Sequence, residues 1–312
     1  MMAGENTRPW RNTETFETLE TLKAMSSLNK IYRIILFTTA FFMIAGCNTL
    51  DEFKYANSAM YNFADPKLLK LPGDMAEISG IAYYAKDTSV FAITDEAGIL
   101  YKIPLKNSNH FRQWKFDKKR DFEDLVLIDS TFYALVSNGD IVSIKFDGDS
   151  IHTYRANFSD YSKAEDEFES LYATEDSNAL IMVCKSCPDD PKKTIGRFKY
   201  NYKDSGAAYK ETISINIAPV AEKHDLNKQL KPSAAAINPV TNELYILSSI
   251  QKLMLIFDGN GAFKESIKLN PAIYKQPEGI AFTPEGDMII SNESAEEGAP
   301  TLLLLKNKKK EK

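Results

Sequence analysis

The chain has 312 residues, 44% of them apolar and 11% aromatic, so it can bury a sizeable core. Its 38 basic and 43 acidic side chains leave a formal charge of −5. That mild acidity excludes a protein built around nucleic-acid binding.

Residues 1–29 are polar and carry no clear hydrophobic period, and Met25 offers an internal start of translation. Lys30 and Arg33 then precede the apolar run Ile34 to Ile44, which has the length of a signal-peptide core and is short for a membrane span. The run ends in Ile44-Ala45-Gly46-Cys47, which resembles the bacterial lipoprotein box, with small residues ahead of a cysteine that is lipidated and becomes the new N-terminus. The expected organisation is a signal region over 1–46, a lipidated Cys47 with a tether to residue 57, a globular domain over 58–306 and a charged tail over 307–312. Several acyl chains on one residue anchor stably. The expected location is therefore the bacterial envelope, as a lipoprotein of the outer membrane or facing the periplasm.

After the tether, Tyr61-Asn62-Phe63 and Leu68 to Leu71 read as a strand-like piece. Five similar units follow. Each has an apolar strand with Ser or Glu near its start, a turn, and a second apolar strand that ends in polar residues. The first runs from Ile78-Ser79-Gly80-Ile81 to Thr94-Asp95, the second from Phe122-Glu123-Asp124-Leu125 to Ser137-Asn138, and the third from Phe168-Glu169-Ser170-Leu171 to Lys185. The fourth runs from Pro232-Ser233-Ala234-Ala235 to Ser249, and the fifth from Pro277-Glu278-Gly279-Ile280 to Asn292. Successive starts lie 44, 46, 64 and 45 residues apart. A period near 45 with two hairpins per unit predicts the blades of a β-propeller.

The fold expected is all-β, a five-bladed propeller of four-stranded antiparallel blades. After Thr301 to Leu305 only a lysine-rich stretch remains, so the N-terminal piece must supply the outer strand of the last blade and close the ring. The turns Asp147 to Ser150 and Asp258 to Gly261 look like calcium loops but lack the following Glu, and are read as hairpin turns. The long third unit carries Cys184-Lys185-Ser186-Cys187 and a polar stretch, Val220 to Leu230, that suits a short helix. One C-x-x-C is half a zinc site; in an oxidising envelope the two cysteines can instead form a local disulfide. His110, His152 and His224 have no metal-ligand spacing. No nucleophile elbow, P-loop or dinucleotide fingerprint is present in the sequence.

The lipoprotein signal and this ordered series of motifs, from about Met60 to about Leu305, resemble the SdiA-regulated (YjiK-like) family of bacterial envelope proteins. The resemblance implies a five-bladed propeller and a bound calcium, and brings no catalytic residues. Asp124 departs from the small residue such repeats carry at its position, and Ala234 with Ala235 departs in the fourth unit.

In a propeller, the start of each first strand and the end of each second strand share one rim of the axial channel. Ser79, Glu123, Glu169, Ser233 and Glu278 are expected there, with Asp95, Asn138, Lys185, Ser249 and Asn292 nearby. Glu123, Glu169, Glu278, Asp95 and Asn138 form the candidate metal set, because carboxylates crowded at one opening raise one another's pKa or recruit a hard cation such as Ca²⁺. The competing reading makes each Glu a brace that accepts backbone N–H groups of its own blade. Two functions follow. One is a lipid-anchored binding or scaffolding module for an envelope protein or a small ligand. The other is a calcium-dependent esterase, lactonase or phosphatase in which Asp95 or Glu96 serves as base.

Overall fold

The computed structural model describes residue 55 and residues 58–311, apart from 107–109, 159–164, 175, 203–208, 212–213, 227–228 and 295–297. The expected signal region, Cys47 and most of the expected tether lie outside the described residues. Residues 55–312 form a compact unit of their own.

Its strands run in chain order β1 (Lys67–Lys70), β2 (Ile78–Tyr84), β3 (Ser89–Thr94), β4 (Ile99–Pro104), β5 (Arg112–Lys115), β6 (Phe122–Ile128), β7 (Thr131–Val136), β8 (Ile141–Asp147) and β9 (Ser150–Ala156). They continue with β10 (Glu167–Ala173), β11 (Leu180–Ser186), β12 (Thr194–Ile195), β13 (Arg197–Tyr200), β14 (Tyr209–Glu211) and β15 (Ile215–Asn216). The last are β16 (Ala234–Ile237), β17 (Leu244–Ser248), β18 (Leu253–Phe257), β19 (Phe263–Lys268), β20 (Pro277–Phe282), β21 (Met288–Asn292) and β22 (Thr301–Leu305).

Five four-stranded antiparallel sheets result: β2 to β5, β6 to β9, β10-β11-β13-β14, β16 to β19, and β20-β21-β22-β1. The inner strands β2, β6, β10, β16 and β20 contact one another in sequence, and β20 returns to β2. The molecule is a five-bladed β-propeller. The 64-residue third unit is one blade with an added β12–β15 ribbon and a short helix, Ala218–His224. Cys184 and Cys187 are disulfide-bonded beside this insertion.

Both faces of each middle strand are apolar because blades cover each other on both sides. In β3, Phe91 and Ile93 pack towards Phe132, Ala134 and Ile144 of the second blade. Val90 and Ala92 alternate with them and pack towards Ile289 and Leu302 of the fifth. This period-two split of one continuous apolar run recurs at all five blade interfaces.

The closing strand forms as the sequence requires: β1 pairs β22 antiparallel, from Lys67 opposite Leu304 to Lys70 opposite Thr301. The expected strand character does not reach back to Tyr61. Tyr61 is instead a fully buried plug between the fourth and fifth blades; its hydroxyl donates to the Gly286 carbonyl at 2.6 Å and accepts from Asn238 Nδ2 at 2.7 Å. The lysine-rich tail is not wholly solvated either. Asp287 is a buried acid that takes the Asn307 amide at 3.0 Å and Lys306 Nζ at 2.7 Å, and this docks the start of the tail.

Candidate functional site

The start of an inner strand is where the chain departs from regular pairing. Register slips between Ile78 and Ile81 in β2, Phe122 and Leu125 in β6, Phe168 and Ser170 in β10, and Pro277 and Gly279 in β20. A bulge leaves its extra residue out of the ladder and re-aims the side chain. The repeated Ser or Glu therefore sits in a bulge at the axial mouth in four blades. In the fourth, Ala234 pairs directly with Leu247 and no slip is present.

The residues that follow form a tighter layer. A Cβ on Gly80 would lie 2.3 Å from the Leu125 amide nitrogen, and one on Gly279 would lie 2.5 Å from the Ser79 carbonyl, so only glycine lets these inner strands approach. Asp124 occupies the equivalent place in the second blade and is almost fully buried. Its Oδ1 accepts the Leu125 amide and its Oδ2 the Leu171 amide of the third blade, both at 2.8 Å. The Ala235 amide of the fourth adds a further bond. Burial pushes the Asp124 carboxyl well above its usual range, and these amides pull against that shift.

Two serines tie further blades: Ser79 Oγ donates to the Phe122 carbonyl at 2.9 Å and Ser233 Oγ to the Pro277 carbonyl at 2.7 Å. Asp124, Ser79 and Ser233 thus each tie neighbouring blades together at the axis.

Above this layer lies a cavity of about 420 Å³. All five residues of the candidate metal set (Glu123, Glu169, Glu278, Asp95 and Asn138) line it, with Ser79, Ser233 and Lys185. Four further acids line it: Glu77, Asp121 and Asp166 from the segments just before the inner strands, and Glu167 as the first residue of β10. Three of them carried a signal in the sequence: Glu77, Asp121 and Glu167 each stand two residues before a rim Ser or Glu.

Glu293 also lines the cavity, in the place expected for Asn292. Glu293 N bonds the Gln276 carbonyl just as Asp95 N bonds Glu77 and Ser137 N bonds Asp121, so Glu293 is the true counterpart of Asp95. Asn292 is turned inwards and donates to the Ile273 carbonyl at 2.8 Å. Glu96 is outside, paired with Lys119 at 2.9 Å. None of the three histidines reaches the cavity.

Nine carboxylates therefore face one ammonium among the described residues of this wall. Lys185 Nζ lies 2.8 Å from Glu169 Oε1. Burial alone would lower the Lys185 pKa, but Glu169 and its acidic neighbours hold it above the usual value. Glu169 is itself raised by burial against the pull of Lys185. Burial and the charge of Glu169 push Glu123 up to about 10, and the same two causes push Glu278 up to about 8 against a hydrogen bond from Ser249. Burial and the adjoining Glu77 carboxylate push Asp95 up to about 7.

Asp95 Oδ1 is buried and has no hydrogen-bond partner. Asn138 uses its Oδ1 to accept the Asp140 amide at 3.0 Å, which fixes its turn. A wall whose donors, Lys185 apart, are oxygens, with surplus negative charge and an orphaned carboxylate oxygen, has the chemistry that suits a hard cation. Among the described residues no three acids of the mouth bring carboxylate oxygens within 4.8 Å of one another, so a cation there would have to draw them together; Glu169 already holds Lys185.

The architecture is shared with solved structures at low identity. A luciferin-regenerating enzyme is 11% identical with a TM-score of 0.50, covering 78% of this chain and 96% of its own. Glutaminyl cyclase of Myxococcus xanthus is 14% identical at 0.49, covering 77% and 95%. Regucalcin of Agrobacterium tumefaciens, described as a calcium-binding protein, is 10% identical at 0.46, covering 80% and 95%. At 11% identity the first speaks to fold alone, and no argument rests on the other two. A search of curated proteins finds no match. The sequence profile of the SdiA-regulated family, by contrast, matches residues 65–295, which take in all five inner strands and every acid of the mouth. The chain belongs to the SdiA-regulated family.

Proposed function

We propose that this protein is a lipid-anchored envelope propeller that binds calcium at its axial mouth and serves as a binding module for an envelope protein or a small ligand. The carrying observation is the charge of the mouth: nine carboxylates and one lysine around about 420 Å³, with Asp95 Oδ1 buried and unpartnered. Carboxylates so crowded must hold protons or a cation at neutral pH. Asp95, Glu77 and Glu293, which feel one another's charge, and Glu278 would supply the oxygens, and the ion would neutralise their charge. The disulfide-bonded Cys184–Cys187 pair supports an oxidising compartment.

Melting curves with calcium and with chelator test the reading. Calcium should raise the melting temperature of the wild type; a hundredfold excess over Kd corresponds to about 2.7 kcal/mol. Glu278→Gln and Asp95→Asn should each weaken that response. A wild type indifferent to millimolar calcium would remove it.

One observation favours a second reading, a calcium-dependent hydrolase of esters, lactones or phosphates. Asp95 lies in the cavity with its pKa pushed to about 7, where a general base is most effective. Chelator-sensitive hydrolysis of aryl esters, lactones or phosphates that is lost in Asp95→Asn would establish it. Equal background rates in wild type and variant would dismiss it.

A further inference from the structure

The acidic mouth opens where the inner strands begin. The chain joins the propeller at the opposite end, since Tyr61 contacts Gly286 and Asn238, in the turns that follow β20 and β16. The segment after β22 arrives at the same corner. Lys308 N donates to the Met60 carbonyl at 3.0 Å and Lys308 Nζ to the Ser58 carbonyl at 3.1 Å. Lys306 is held by Asp287, and Lys309 is exposed. Lys306 and Lys308 are thereby fixed, with Lys309 next to them, beside Ser58 and Met60 at the start of the domain.

We propose that this corner docks on a surface of anionic phospholipid, so that the anchored propeller holds its acidic mouth away from the bilayer. The attachment itself rests on the lipid anchor proposed at Cys47; the docking surface does not.

Charge decides between the faces. A lysine near an anionic leaflet strengthens binding about fivefold, and the effect fades beyond about 8 Å at physiological salt. The mouth sets nine acidic side chains against the single cation Lys185, and those that keep their charge are repelled by the same surface. A chain that is acidic overall, at −5, thus presents Lys308 and Lys309 as exposed cations at the corner where Lys306 is paired with Asp287.

The test uses protein produced from Asn48 onwards, which contains the whole compact unit and carries no lipid. It should sediment with mixed phosphatidylcholine–phosphatidylglycerol vesicles at low salt, remain in solution with phosphatidylcholine alone, and be released by high salt. Lys308→Glu with Lys309→Glu should weaken binding about twentyfold or more. The same reversals at Lys118 and Lys119, which flank the mouth-side segment before β6, should leave it unchanged. Because Lys308 also bonds Ser58, the single Lys309→Glu variant serves where the pair unfolds, with a loss of about fivefold or more. Equal binding to neutral vesicles, no binding to anionic ones, or equal loss from the mouth-side pair would each overturn the proposal. The outcome is independent of whether Cys47 carries lipid.

Discussion

The carboxylate of Asp124, on the inner strand of the second blade, accepts the backbone N–H of Leu171, on the inner strand of the third, at 2.8 Å. One side chain thereby spans two blades at the axis, and its bond from the Ala235 amide reaches a third blade. The layer around it is built of Gly80, Ser170, Ala234 and Gly279, so only this position carries a side chain long enough to reach across. Removing it leaves buried amides without acceptors.

Asp124→Ala should therefore destabilise by about 3–5 kcal/mol, since each stranded buried donor costs about 1–3 kcal/mol. Asp124→Asn should also be costly, because its NH₂ faces amides that need an acceptor. Urea unfolding measures both. A loss below about 1 kcal/mol in Asp124→Ala would show that the inter-blade bonds contribute little.

The mouth predicts a pH dependence of definite sign. Glu123, Glu278 and Asp95 have folded pKa values pushed to about 10, 8 and 7 from ordinary values of 4.5, 4.5 and 3.8. Between those limits the folded state binds more protons than the unfolded one, so stability falls as pH rises. In chelator the melting temperature should drop from pH 6 to pH 9, and Glu278→Gln should reduce that slope below pH 8. Calcium must displace the same protons, so its stabilisation should grow with pH. A calcium effect larger at pH 5 than at pH 8 would contradict the assignment.

Ring closure depends on the residues just before the first blade. Deleting 58–70 removes β1 and Tyr61 and opens the fifth blade, and should abolish cooperative unfolding. Tyr61→Phe strands the Gly286 carbonyl and the Asn238 amide and should cost about 1–3 kcal/mol. Deleting 48–54 should leave the melting temperature unchanged. Equal melting for the two deletions would refute closure by this strand.

Anchoring is tested on cells. Cys47→Ser should abolish incorporation of labelled fatty acid and either release the protein from the membrane fraction or leave the precursor uncleaved. Unaltered labelling in that variant would remove the lipoprotein reading.

The number of blades, their strands and the closing pair were legible in the sequence because each is set locally. Apolar runs of five to seven residues, turn chemistry, and a recurring Ser or Glu every 45 residues or so dictate hairpins that can bury both faces only by stacking. The five candidate metal residues also reached one cavity, since strand starts and ends must share a rim. What each of them does there was decided by tertiary structure. The bulges re-aim Glu123, Glu169 and Glu278, and the two-blade reach of Asp124 depends on which strands lie across the axis. Lys185 can claim Glu169 only because both end at the same mouth, and a shift of one residue at the end of β21 replaces Asn292 by Glu293. Such outcomes depend on register and on distances between blades, and strand periodicity carries no information about either.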